Sequence, residues 1–241
     1  MLIGKDFNKV EVDFFGLTCV EPNALIGDGI LFLVALYLGL QTFRLRRDQP
    51  FFKLWTLTFV LFGISFLAGG LGHFFYNYWG VPGKYFGWMS SVLAVYFLEQ
   101  AMISIYPILK VKLLFSRISK IKLAVSWIIM ILQYVLADLN SDPQKGLLIP
   151  SISSAVGIIL CLGILARRYQ ILWSVQFKFF WLTILIMIPS AIFQALKINF
   201  HLLFDRNDVS HVLLIVTLVF YWNGIKAFSK LKFGLPLTAS R

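Results

Sequence analysis

The chain carries three histidines, His73, His201 and His211, and each falls at or beside the end of a long apolar stretch. Imidazole and carboxylate both bind zinc, and a catalytic zinc site takes three protein ligands plus a water. Bound zinc lowers the pKa of that water to about 7 and supplies hydroxide at neutral pH. Asp208 and His211 are three residues apart, so on a helix they share a face. A histidine in the first turn of a helix feels the positive end of the dipole, which favours the neutral ring that a metal needs. Asp208 and Asp28 are the candidate catalytic carboxylates, placed to take a proton from the water or to orient an imidazole. Glu21 and Asn23 add oxygen donors, which makes the candidate ligand set His73, His201, His211, Glu21 and Asn23. Oxygen donors at the amino-terminal segment also suit a second, harder cation such as calcium.

Each of these residues also has a plainer reading. His73 suits a ring lodged among lipid headgroups. His201 suits a solvated loop. Asp208 complements a helix dipole behind an Asn207 cap. His211 is the hardest to explain away, because an imidazole inside an apolar helix is costly. A second polar set lies deeper: Glu99, Asn223 and Ser65, with Gln133 and Gln194 elsewhere in the spans. A buried glutamate is functional by default in a membrane, or it is a hydrogen-bonded contact between helices.

The elements that must position these groups are membrane spans. The chain has 241 residues, 59% of them hydrophobic, with a mean hydropathy of +0.81. Soluble domains are about 45–50% apolar. Crossing a bilayer takes about 20 apolar residues. Seven stretches qualify: 24–43, 51–73, 86–109, 123–139, 147–165, 177–200 and 209–228. The expectation is an all-α, seven-transmembrane helix bundle forming a single domain over residues 1–241, an integral multi-pass membrane protein. Gly69, Gly70 and Gly72, near the end of the second stretch, invite close helix approach.

Basic residues sort to one side. Arg44, Arg46, Arg47 and Lys53 follow the first stretch; Lys110, Lys112, Arg117, Lys120 and Lys122 follow the third. Arg167, Arg168 and Lys178 lie between the fifth and sixth, and Lys226, Lys230, Lys232 and Arg241 end the chain. Only Lys5, Lys9, Lys84, Lys145, Lys197 and Arg206 fall on the other side. The positive-inside rule then makes the amino terminus external and the carboxyl terminus cytoplasmic. The net charge of +11 therefore points to anionic membrane lipids rather than nucleic acid. This sidedness puts His73, His201, His211, Glu21, Asn23, Asp28 and Asp208 at one height, near the outer surface. Cys19 and Cys161 sit too far apart in this layout for a disulfide, and residues 1–20 lack the pattern of a cleaved leader.

The run Cys19-Val20-Glu21-Pro22-Asn23, followed by Asp28, resembles the amino-terminal segment of alkaline ceramidases. Their superfamily of seven-span metal hydrolases also holds the progestin and adipoQ receptors. His73 matches the histidine of that pattern's second span, and His211 matches one of the pair in its seventh. Gly69 stands where the pattern has serine, the third span has no aspartate, and Ile215 replaces the second histidine of the pair. The stretch His201–His211 is similar to an uncharacterised seven-span family with an "ND…H" last span. The resemblance implies a zinc-dependent hydrolase of a lipid amide or ester, with His201 or Asp208 replacing the missing ligand. The alternatives are a non-catalytic lipid receptor on the same bundle, motivated by the missing serine and aspartate, and a transporter using Glu99 and Asn223.

Overall fold

A computed structural model describes residues 1–45 and 48–231. The chain opens with an antiparallel hairpin of β1 (Glu11–Phe14) and β2 (Leu17–Val20). Its two-residue turn, Phe15-Gly16, has φ of 52° and 80°. Two successive positive φ values match the right-handed twist of the strands. The helices follow: α1 (Pro22–Arg44), α2 (Pro50–Phe74), a short α3 (Tyr76–Trp79), α4 (Tyr85–Ser104), α5 (Leu109–Leu136) and α6 (Pro143–Ile158). A π-helical segment, Ile159–Leu165, joins α6 to α7 (Ala166–Leu172), and α8 (Lys178–Ala195) and α9 (Arg206–Ser229) complete the chain. Seven of these helical stretches are long and apolar enough to cross a membrane. The protein is an all-α, seven-span integral membrane protein.

The fourth span departs from the sequence expectation. It starts at Leu109, not near Leu123, so the basic run from Lys110 to Lys122 is helix rather than loop. A polar stripe at helical spacing explains this. Lys112 donates to Ser104 O (2.6 Å), Ser116 donates to Gln100 Oε1 (2.7 Å), and Ser119 donates to Glu99. These contacts tie the first half of α5 to α4 through polar groups that a search for apolar residues passes over. The fifth span is also longer than expected, running from Pro143 to Leu172, and α8 stops at Ala195 rather than at Phe200.

Within the membrane, helices associate through van der Waals packing and interhelical hydrogen bonds. α1 lies along α2, and at Gly70 a Cβ would come 2.9 Å from Asp28 Cβ and 3.2 Å from Leu25 Cα. No larger residue permits that approach, as the glycine run implied. The face holding the ends of α1 and α9 nearest residues 44 and 229 is packed with buried rings. Trp55 stacks on Phe180 (5.4 Å, 18°), with Phe51, Phe52, Phe177, Tyr221 and Phe228 around them. The opposite, amino-terminal face carries the hairpin, the polar residues and the cavities.

Candidate functional site

α1 begins at Pro22, and Glu21 precedes it with a left-handed backbone (φ 54°, ψ 54°). Glu21 thus stands just ahead of α1, and Asp28 lies in the second turn of that helix. His73 Nδ1 donates to Glu21 Oε2 (2.7 Å), and Lys9 Nζ lies 3.1 Å from the same oxygen. Burial alone would raise the Glu21 carboxyl, but His73 and Lys9 outweigh it and hold the group at about 2. One helix over, His211 Nε2 lies 3.3 Å from Asp28 Oδ1. Between these two pairs, Asn23 Nδ2 donates to Asp208 Oδ2 (2.9 Å).

Asp208 has a second task. Its Oδ2 accepts from Asp205 N (2.8 Å), while the Asp205 side chain accepts from Asn207 N and Asp208 N. This reciprocal box starts α9. The capping residue is Asp205, where the sequence pointed to Asn207. Burial raises the Asp205 carboxyl, and its backbone bonds oppose that shift.

Six of the seven expected residues are thus joined pairwise: Glu21 to His73, Asp28 to His211, and Asn23 to Asp208. His201 is not gathered with them. It is exposed, and its Nδ1 accepts from Leu203 N (3.1 Å) inside its own tight turn. The partner contacts also use up ligand atoms that a metal would need. Among the described residues, no three His, Cys, Asp or Glu side chains are grouped as a metal site. The two half-buried histidines open onto different cavities. His73 lines one of about 800 Å³ with Glu21, Asn23, Lys84, Trp88 and Arg206. His211 lines one of about 260 Å³, with Asp208, Gly27 and the apolar Ile26, Ile30, Val212 and Ile215. As arranged, these side chains meet two by two rather than around one point. What each pair does offer is an imidazole oriented by a carboxylate, the usual makings of an acid–base group.

Sequence reasoning missed the amino-terminal segment as a cover. Leu2 and Asn199 exchange backbone hydrogen bonds, Asp6 pairs with Arg206, and Tyr78 Oη accepts from Thr18 N (2.9 Å). Residues 6–10 then line the larger cavity. A Phe-Gly turn in place of Asn-Gly hid the hairpin. Three of the other polar residues in the spans have partners as well. Glu99 is paired with Lys122 (2.6 Å) rather than lying alone. Gln133 donates to Lys145 O across the fourth and fifth spans, and Gln194 donates to Asn207 and Ser210 across the sixth and seventh.

The low Glu21 carboxyl has a consequence for the cover. A carboxyl held below its ordinary range stabilises the fold above about pH 4.3, the unfolded value, and that stability is lost as pH falls toward the folded one. Glu21→Gln at pH 7 mimics the protonated form. Protease cleavage within residues 1–21 is expected to quicken in that variant and to leave α1–α9 intact. Unchanged cleavage would show that Glu21 does not hold the cover down.

No curated protein and no solved structure matches the chain. A family model described as a family of unknown function, DUF6962, matches residues 24–230, which takes in all seven spans and leaves Glu21, Asn23 and the hairpin outside. The chain belongs to the DUF6962 family.

Proposed function

We propose that this protein binds a membrane amphiphile from the leaflet beside its amino-terminal face, which the sorting of lysine and arginine makes the non-cytoplasmic leaflet. The observation that carries this reading is where the larger cavity lies. Its walls include Leu147, Leu148 and Ser151 of α6 and Ala191, Gln194 and Ala195 of α8. Those two helices scarcely touch each other, because α8 packs instead on the π-helical segment Ile159–Leu165 below. Leu147, Leu148, Ser151, Ala191 and Ala195 along the gap between them are exposed, which leaves the cavity a way out between the two spans. A volume of about 800 Å³ falls in the range of small-molecule sites, which run from about 300 to 1,000 Å³. The lining is divided as an amphiphile is. Trp88, Leu147, Leu148 and Ala191 are apolar, while Glu21, Asn23, His73 and Arg206 are polar.

A hydrolase is the second reading, favoured by the oriented His73–Glu21 pair on the cavity wall. In its zinc-dependent form it would need two further ligands beside His73.

Ala191→Trp would fill the gap from the α8 side. Protein purified in mild detergent is expected to retain a bound lipid, and the variant to retain it roughly tenfold less, a change of about 1.4 kcal/mol. Equal lipid content in both proteins would overturn the binding reading. Release of a cleaved lipid by the wild type would favour the hydrolase.

A further inference from the structure

We infer that the larger cavity holds an anionic, phosphate-type group at Lys84, so that the amphiphile bound there carries an anionic headgroup. This rests on the amphiphile-binding reading and adds the class of ligand.

The cations around the cavity are not equivalent. Arg206 is paired with Asp6 and is also bonded to Gln194 Oε1 (3.0 Å). Lys197 shares Asp6 (3.8 Å). Lys9 is paired with Glu21, whose carboxylate also takes His73. Lys84 has no ion pair and no hydrogen bond among the described residues. Its ammonium rests 5.2 Å from the centre of the Tyr76 ring. The same ring carries the Lys9 ammonium at 4.6 Å. A cation–ring contact holds an ammonium group by about 0.5–2 kcal/mol and leaves its hydrogen-bond donors unused.

Two ammonium groups therefore share one ring, and the carboxylates within reach of their charge, Glu21 and Asp28, are engaged elsewhere, Glu21 with Lys9 and His73 and Asp28 with His211. Like charges sharing one ring repel, and an oxyanion at Lys84 offsets that repulsion through a charge-assisted hydrogen bond. The Lys84 stem packs against Gly72 of α2. Lys84 ends the 3-10 turn Val81–Lys84 and leads directly into α4. Trp88 follows one turn deeper, on the same face of α4 and lining the same cavity. A headgroup at Lys84 thus places its chain along Trp88 toward Leu147 and Leu148. A neutral headgroup leaves the Lys84 donors unused, and the cationic end of a zwitterion would be repelled by the same pair.

The test uses full-length protein in detergent and three probes, with binding followed by native mass spectrometry and thermal shift. The probes are dioctanoyl phosphatidic acid, dioctanoylglycerol with the same chains and no phosphate, and inorganic phosphate. Wild type is expected to bind the phosphatidic acid roughly tenfold or more tightly than the diacylglycerol, in line with a hydrogen bond to a charged group. Lys84→Gln should remove that preference and leave the diacylglycerol affinity unchanged, and Lys84→Arg should keep it. A preference untouched by Lys84→Gln, or no preference in wild type, overturns the headgroup assignment while amphiphile binding stands. Inorganic phosphate binding as tightly as the lipid, and lost in Lys84→Gln, supports the oxyanion site and overturns the lipid as its source. Loss of neither lipid in Ala191→Trp overturns the amphiphile reading itself.

Discussion

Lys122→Met is expected to cost the fold about 3–5 kcal/mol, and removing Glu99 in the same chain is expected to return most of that loss. Lys122 reaches into the bundle from α5 and spends its donors on Glu99 Oε1 (2.6 Å), Ser153 O (2.7 Å) and Ser153 Oγ (3.2 Å). Ser119 donates to the other Glu99 oxygen, and Ser126 donates to Ser153 Oγ (2.9 Å). The fourth span is thereby tied to the third and the fifth by one ammonium group. Glu99 is 3% exposed, so truncating Lys122 leaves a buried carboxylate facing little but a serine. The double variant Glu99→Gln with Lys122→Met leaves no charge to compensate. Unfolding midpoints in mixed detergent micelles, taken on both single variants and the double, measure the coupling. A double variant as unstable as Lys122→Met would mean that the charge pair is not what joins the spans. The pair also gives Glu99 a structural role that needs no transport pathway through Asn223.

This ion pair marks the limit of what sequence could show. Seven spans were legible because hydrocarbon demands long apolar runs, and those runs survive in the structure with shifted ends. Lys122 was not legible as a partner of Glu99. It follows a run of lysines that reads as a solvated loop, yet Ser116, Ser119 and Lys122 form a polar face that helix α4 accepts. The site divides in the same way. Sidedness gives each residue a height and so put Glu21, Asn23, Asp28, His73, Asp208 and His211 in one layer, while their pairing is seen only in the structure. Azimuth is absent from that reasoning. His73 and His211 share a depth but line different cavities, and His201 has the right height but bonds into its own turn. Lys84 drew no notice because a lone lysine at a helix start ordinarily snorkels to water. Only its neighbours reveal that no acid is paired with it.

Gly27→Ala is expected to destabilise the protein by about 2–3 kcal/mol, although alanine is the better helix former by about 1 kcal/mol. The added Cβ would sit 2.2 Å from His211 Nδ1, 3.0 Å from Cε1 and 3.1 Å from Cγ. The imidazole edge lies on the bare Cα of α1, which is why Nδ1 is buried without a hydrogen-bond partner. The ring has little freedom to yield. Its other nitrogen is held at Asp28, and Asp28 is itself pressed against Gly70 of α2. Making room for one methyl group therefore means giving up the carboxylate–imidazole pair or parting α1 from α9. The sign supplies the control. In a His211→Ala background the clash is gone, and Gly27→Ala should become neutral or stabilise by up to about 1 kcal/mol through helix propensity alone. The imidazole proton resonances of His211 should shift in Gly27→Ala as the ring leaves Asp28. A Gly27→Ala protein more stable than wild type, with His211 in place, would mean that the ring is free to turn and that α1 does not set its position. The smaller cavity would then lose the oriented base that Asp28 provides, and His73 with Glu21 would remain as the one fixed pair on this face of the bundle.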